Sequence, residues 1–151
     1  MVSIHIEYEG DLHCRLTHGP SQTTITTDAP IDNHGRGESF SPTDLVAAGL
    51  GSCMATVMAI AARNRHIELQ GMRIHVQKEM ASQPRRIRRL GVEILLPPTV
   101  ESKDLKFLEN AARTCPVHQS LHPDIQIDLT LKLSTSSDAI PSGNMTTPAS
   151  S

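Results

Sequence analysis

The chain has 151 residues, with 14 Lys and Arg against 16 Asp and Glu and a formal net charge of -2, which indicates one globular domain. Aromatic residues make up only 2% of the sequence, so it lacks both the aromatic platform and the positive charge typical of nucleic-acid binding. Three cysteines and no recognisable signal sequence indicate a reducing compartment. We therefore expect a cytoplasmic protein that does not bind nucleic acid.

Alternating apolar and polar residues predict strands on both sides of a long helix. A loop over residues 28–40, rich in Gly, Pro, Asn and His, leads into that helix. An apolar stripe predicts a second helix over residues 100–113, and a short third helix follows Pro116. The predicted strands cover residues 2–8, 14–17, 23–26, 72–80, 87–96 and 125–133.

Residues 45–62 contain no charged side chain, a stretch of 18 positions that is long enough to cross a bilayer. Small and hydroxyl-bearing residues lower its hydrophobicity, so we predict a buried helix and no membrane span. Ser41 is expected to cap this helix, Pro42 to occupy its first position and Asp44 to complete a capping box. The helix should run to about residue 65, and one small sheet cannot cover it, which favours a homodimer.

The order of the elements predicts an α+β fold with mainly antiparallel strand pairing. Residues 1–133 contain all of these elements and form the predicted domain. Residues 134–151 are rich in Ser, Thr, Pro and Gly, and we expect them to form a flexible or disordered tail.

Two of the three cysteines, Cys53 and Cys115, lie at positions where a thiol could be reactive. Cys115 precedes Pro116, and at a helix cap the free backbone N–H groups would stabilise its thiolate. Cys53 lies in the middle of the long helix, where it is either an inert core thiol or a thiol activated by a tertiary partner. Local electrostatics alone thus favours Cys115 as the more acidic thiol. Cys14 lies in a strand and has no predicted role.

A metal site is an alternative use of the same residues. Cys115, His118 and His122 follow one another at steps of three and four, which places them on one face of a helix. Cys53 would have to supply the fourth ligand. Eight histidines are spread through the chain, so such spacings also arise by chance.

The sequence S-P-T-D-L-V-A-A-G-L-G-S-C at residues 41–53, with C-P-V at 115–117 and a closing strand, resembles the OsmC/Ohr family of thiol peroxidases. The resemblance extends to about residue 133. It implies a six-stranded antiparallel sheet around a long central helix, in an intertwined homodimer with active sites at the subunit interface. It also implies that Cys53 is the peroxidatic thiol and Cys115 the resolving thiol.

The implied reaction needs no cofactor or metal. A Cys53 thiolate would attack a hydroperoxide and become a sulfenic acid, which Cys115 would convert into a disulfide. A small or protein dithiol would then reduce the disulfide. Apolar residues of the helix around Cys53 favour organic hydroperoxides over hydrogen peroxide as substrates. They are Leu45, Val46, Leu50, Met54, Val57 and Met58.

The sequence departs from the Ohr pattern at the residues that would activate the thiol. The Ohr branch has a carboxylate ten residues before the peroxidatic cysteine, paired with an arginine from an early loop, whereas this position is Thr43 here. Asp44 and Glu38 are the nearby carboxylates. Arg36 is the favoured cation, because its loop leads into the Cys53 helix, and Arg15 is the alternative. The chain thus resembles an OsmC-like branch, and binding of a small apolar ligand without peroxidase activity remains a second hypothesis.

Overall fold

The computed structural model describes residues 1–135, and within them six strands and three α-helices follow the predicted order. Every predicted strand and helix is confirmed, with ends shifted by a few residues. The predicted tail lies almost wholly outside the described residues. The strands are β1 (Ile4–Gly10), β2 (His13–His18), β3 (Thr24–Asp28), β4 (Arg73–Ser82), β5 (Arg85–Leu96) and β6 (Gln126–Leu133). The helices are α1 (Pro42–Arg63), α2 (Leu105–Arg113) and α3 (Pro116–Ser120).

The strands form two three-stranded sheets, in the orders β1-β2-β3 and β4-β5-β6. The resemblance implied a single six-stranded sheet, whereas the described chain forms two separate sheets of three strands. The loop and α1 separate β3 from β4, and each sheet pairs strands from its own half of the chain. The expectation of antiparallel pairing is wrong for β5 and β6, which run parallel. Residues 97–125 contain α2 and α3 and provide the crossover that a parallel pair needs.

Helix α1 begins as predicted. The Ser41 side chain accepts a hydrogen bond from the Asp44 backbone N–H at 3.1 Å, and the Asp44 carboxylate accepts one from the Ser41 N–H at 2.8 Å. Pro42 occupies the first turn. This capping box satisfies two otherwise unpaired donors, so the start of α1 is set by four consecutive residues.

The core lies between one side of α1, the second sheet and α2. Leu50, Met54 and Met58 of α1 are fully buried there, with Leu90 and Ile94 of β5. The Cβ of a side chain at position 51 would lie 3.0 Å from a methyl group of Val76, so Gly51 permits the close approach of α1 to β4. Because α2 contacts the same helix, the turn that follows it brings Cys115 to α1.

Two apolar surfaces remain uncovered. The first is on α1, which is long and apolar enough to cross a membrane, as the core helices of some proteins also are. Of its most apolar 18-residue stretch, 33% is buried within the chain. Ile60 of this helix is 57% exposed. The first sheet contacts the rest of the described chain only lightly, and Ile4, Ile6 and Tyr8, on one face of β1, are all exposed.

Candidate functional site

The structure brings two of the three cysteines together. Cys53 lies at the middle of α1 and is half-buried, whereas Cys115 is fully buried at the start of α3. The Cys53 thiol is a close enough neighbour of Cys115 to raise the pKa of its thiol, and all three cysteines are free. The site therefore contains one partly accessible sulfur near one inaccessible sulfur.

Cys115 is the cap residue of α3, as Pro116 predicted. Its sulfur accepts a hydrogen bond from the His118 backbone N–H at 3.4 Å. Burial nevertheless raises the pKa of the Cys115 thiol, the His118 N–H lowers it, and the neighbouring Cys53 raises it further. The cap therefore does not make Cys115 acidic as expected, because desolvation outweighs the capping hydrogen bond and leaves the pKa of its thiol above the usual value.

The metal alternative depended on His118 and His122 sharing a helical face with Cys115. Helix α3 ends at Ser120 and Leu121 is already extended, so His122 does not continue the helical face that follows Cys115. His122 is exposed and lies 3.6 Å from the Asp124 carboxylate. Among residues 1–135, no three His, Cys, Asp or Glu side chains are arranged to hold a metal ion.

A second polar cluster lies at the start of α1. Lys78 of β4 contacts the Asp44 carboxylate at 2.7 Å and donates a hydrogen bond to Thr43 Oγ1 at 2.7 Å. Burial raises the pKa of Asp44, but hydrogen bonds from Lys78 and Ser41 outweigh it and leave the pKa below its usual value. Thr43 stands where the Ohr pattern has a carboxylate, so at this position the chain presents a hydroxyl bound to a lysine.

Lys78 was missed by the sequence analysis, although the strand pattern contains a signal for it. Ile74, Val76 and Met80 are the apolar positions of β4, and Lys78 shares their phase, so it faces inward. Its side chain is only 17% exposed. A cleft of about 750 Å³ opens beside it and is lined on one side by Glu38 and Asp44.

Arg36 and Glu38 lie on the loop before α1. Their charged groups are 3.9 Å apart, and both side chains are more than half exposed. Gly35 shapes this loop, because the Cβ of any other residue would lie 1.7 Å from the Ala29 carbonyl oxygen. The second half of the loop folds back onto its first residue, Asp28. The Asp28 carboxylate accepts a hydrogen bond from the Glu38 backbone N–H at 3.0 Å.

Asp28 anchors this loop to the first sheet. Its side chain is 2% exposed and lies 2.5 Å from Nδ1 of His13 in β2. The hydrogen bond with His13 is the main reason why the pKa of Asp28 falls below its usual value, with smaller contributions from Glu38 and Arg36. A buried carboxylate thus fixes the segment that carries both candidate activating residues.

The remaining candidates lie in the first sheet. Arg15 of β2 forms an ion pair with Glu9 of β1. Cys14 is half-buried between Tyr8 and Thr27 on the neighbouring strands. Within residues 1–135, neither Arg15 nor Cys14 forms a hydrogen bond or ion pair with Cys53 or Cys115.

Within one chain, Asp44 and Cys53 are on different sides of α1. At about 100° and 1.5 Å per residue, nine residues correspond to half a turn of difference and roughly 13.5 Å along the axis. Glu38 lines the same cleft as Asp44. In the described chain, Cys53 and Cys115 are therefore neighbours at one place, and Glu38 and Asp44 line a cleft at another.

The chain matches a known protein family in sequence and in fold. The sequence model of the OsmC-like proteins matches residues 35–130. The chain belongs to the OsmC-like family. A Psychrobacter arcticus protein, named for osmotic stress induction and a detoxification response, is 42% identical to this OsmC-like chain. The match covers 87% of this chain and 96% of that one, with a TM-score of 0.84.

More distant OsmC-like structures share the fold. The organic hydroperoxide resistance protein OsmC of Legionella pneumophila is 17% identical, with a TM-score of 0.67 over 89% of this chain and 97% of that one. An organic hydroperoxide resistance protein of Elizabethkingia anophelis is 14% identical, with a TM-score of 0.73 over 89% and 96% of the two chains. No curated protein matches this OsmC-like chain.

Proposed function

We propose that this OsmC-like protein is a thiol-dependent peroxidase that reduces organic hydroperoxides in stress defence. The observation that supports it best is the pairing of half-buried Cys53 with fully buried Cys115. A hydroperoxide can approach the first sulfur but not the second. The raised pKa of Cys115 disfavours its thiolate, which argues against Cys115 as the sulfur that attacks the peroxide.

The proposed cycle uses only these two residues and a dithiol. The Cys53 thiolate attacks the terminal peroxide oxygen, an alcohol leaves, and Cys53 becomes a sulfenic acid. Cys115 then forms a disulfide with Cys53, and water leaves. A small or protein dithiol restores both thiols by exchange. We place this cycle in a reducing cytoplasm, as the small, odd number of cysteines in the sequence suggests.

Relatives support the general role. Two proteins of the same fold are named as organic hydroperoxide resistance proteins, and the relative at 42% identity is named for stress and detoxification. These names describe those proteins. For this chain, the peroxidase activity rests on the paired thiols.

We further propose that the active unit is a homodimer. The Cys53 side of α1 is incompletely covered, since Val46 and Val57 are half-buried and Ile60 is exposed. The first sheet also exposes an apolar face that one chain leaves open. A second copy covering both surfaces would complete the surroundings of Cys53.

The dimer is testable with two lysine substitutions on β1. Ile6→Lys places a charge on the apolar face, whereas Glu7→Lys places it on the opposite face of the same strand. Sedimentation at micromolar concentration should give twice the chain mass for the unmodified protein and for Glu7→Lys, and a lighter species for Ile6→Lys. A monomeric unmodified protein would contradict the proposal.

Arg36 is the cation that we propose for activating Cys53. Among residues 1–135, its guanidinium has only the Glu38 carboxylate, 3.9 Å away, as an ion-pair partner, whereas Arg15 is paired with Glu9. It lies on a loop that a buried carboxylate anchors. Within one chain, α1 separates this loop from Cys53. We therefore propose that, in the dimer, Arg36 acts on Cys53 of the partner subunit.

Substrate preference is expected to follow apolar contact near Cys53. Leu50, Met54 and Met58 are already buried in the chain's own core, so the alkyl group must contact Val46, Val57 and the partner. Each buried CH₂ would contribute about 0.8 kcal/mol, which hydrogen peroxide cannot obtain. Cumene and tert-butyl hydroperoxides should therefore oxidise the reduced protein faster than hydrogen peroxide does.

Stopped-flow oxidation with each peroxide measures this preference, and peptide mapping afterwards should find a Cys53–Cys115 bridge. The Cys14→Ser variant is the control and should behave as the unmodified protein does. Equal rates with all three peroxides would refute the substrate preference. Failure of every peroxide to oxidise Cys53 would refute the peroxidase function.

A further inference from the structure

One buried side-chain nitrogen of α3, on the residue three positions after Cys115, has no hydrogen-bond partner. Nδ1 of His118 is the only buried side-chain nitrogen or oxygen in residues 1–135 that lacks a hydrogen bond. Leaving such a group unpaired costs free energy, so its burial calls for an explanation. A packing role would be served equally well by an apolar side chain of the same size.

The position of His118 relative to Cys115 is fixed by α3. Cys115 is the cap residue and His118 lies three positions further along, so both belong to the first turn of α3. The backbone N–H of His118 also holds the Cys115 sulfur at 3.4 Å. The imidazole is therefore attached to the residue that positions the resolving sulfur.

Cys115 needs a proton acceptor to react. The attacking species in disulfide formation is a thiolate, and Cys115 is fully buried, with a pKa raised first by burial. Solvent has no direct access to its sulfur. A neutral imidazole with its proton on Nε2 presents a lone pair at Nδ1 and can accept the proton.

We propose that Nδ1 of His118 accepts the Cys115 proton when Cys115 attacks Cys53 and delivers it to the leaving group. In the peroxidase cycle, the Cys115 sulfur supplies the electron pair of the new S–S bond, and the S–O bond of the Cys53 sulfenic acid breaks. Its electron pair leaves with oxygen as hydroxide. The proton passes from Cys115 through His118 to hydroxide, giving water, and this form of the step rests on the proposed function.

His122 cannot serve in this role within the chain. It lies beyond the end of α3, is exposed and contacts Asp124. It therefore provides a matched control, because replacing it removes an imidazole from the same segment without removing the buried one.

The experiment isolates the attack by Cys115 from any peroxide. In a Cys14→Ser background, one equivalent of dithiobis(nitrobenzoate) labels the accessible Cys53 and releases one thionitrobenzoate. Cys115 then displaces the second thionitrobenzoate, which leaves without needing a proton. The rate of this second release reports how fast Cys115 loses its proton and attacks.

His118→Asn is the decisive variant. The asparagine carbonyl oxygen can take the place of Nδ1 and accept a hydrogen bond, but it cannot take up a proton. We expect the second release to slow by on the order of 10²-fold, with the first release unchanged. His122→Gln should leave both phases unchanged. A purely structural role of His118 predicts near-normal rates for His118→Asn, and that result would overturn the proposal.

A second variant keeps the test valid if His118→Asn does not fold stably. If thermal unfolding shows that His118→Asn is destabilised, His118→Gly with added imidazole replaces it, because free imidazole can fill the vacated space. Acceleration of the second release by imidazole supports the proton transfer, and absence of acceleration contradicts it. A Cys53 that reacts with the disulfide reagent but with no hydroperoxide would refute the peroxidase function alone.

Discussion

Replacing Cys53 by serine is expected to lower hydroperoxide consumption by at least about 10³-fold, because a serine hydroxyl does not ionise near neutral pH and is a far weaker nucleophile. The replacement exchanges one atom at a half-buried position, so the thermal unfolding midpoint should change little. Consumption is measured with cumene hydroperoxide and excess dithiol. A variant that retains more than a tenth of the activity would show that Cys53 is not the reacting sulfur.

The matching replacement at the second thiol separates the two roles. Cys115→Ser should consume one equivalent of peroxide per chain and then stop when no external thiol is present, with a sulfenic acid trapped on Cys53. Cys14→Ser should turn over normally. If Cys115→Ser instead lost the first oxidation as well, Cys115 rather than Cys53 would be the peroxidatic thiol, as its cap position alone suggested.

Arg36→Ala tests the proposed activating cation within the same assay. Loss of a positive charge near the Cys53 thiolate would destabilise the thiolate and slow the first oxidation while leaving the disulfide step intact. Arg15→Ala removes the alternative cation, whose charge is already paired with Glu9. A normal rate in Arg36→Ala would exclude only this choice of cation.

Truncation of Leu108 to alanine is expected to cost about 2–5 kcal/mol of unfolding free energy, since the side chain is fully buried and α2 packs on α1 through this region. Denaturant titration followed by circular dichroism measures the loss. Leu105→Ala on the same helix removes an equal number of atoms from a half-buried position and should cost less.

The Leu108 truncation should also slow disulfide formation. Helix α2 leads through a single turn into Cys115, so loosening α2 on α1 allows Cys115 to move away from Cys53. Bridge formation after stoichiometric peroxide should therefore be slower in Leu108→Ala than in Leu105→Ala. Equal rates of bridge formation in the two variants would mean that the α1–α2 contact contributes little to the position of Cys115.

The sequence by itself determined the features that depend on neighbouring residues. Ser41, Pro42 and Asp44 define the start of α1, because a capping box closes within one helical turn. Pro116 places Cys115 at the cap of α3 for the same reason. Strand alternation located all six strands, since the period of two is a property of the extended chain itself. The motif around Cys53 also sufficed to indicate the family, which the comparison with the OsmC-like proteins confirmed.

Tertiary structure decided what depends on residues far apart in the chain. The parallel pairing of β5 with β6 follows from how α2 and α3 cross over the sheet, and alternation does not encode strand direction. Lys78 lies 35 positions from Thr43, so only folding shows that it binds the hydroxyl at the Ohr carboxylate position. The acidity of Cys115 was misjudged because a cap lowers a thiol pKa locally, whereas burial by α1 and α2 raises it by a larger amount.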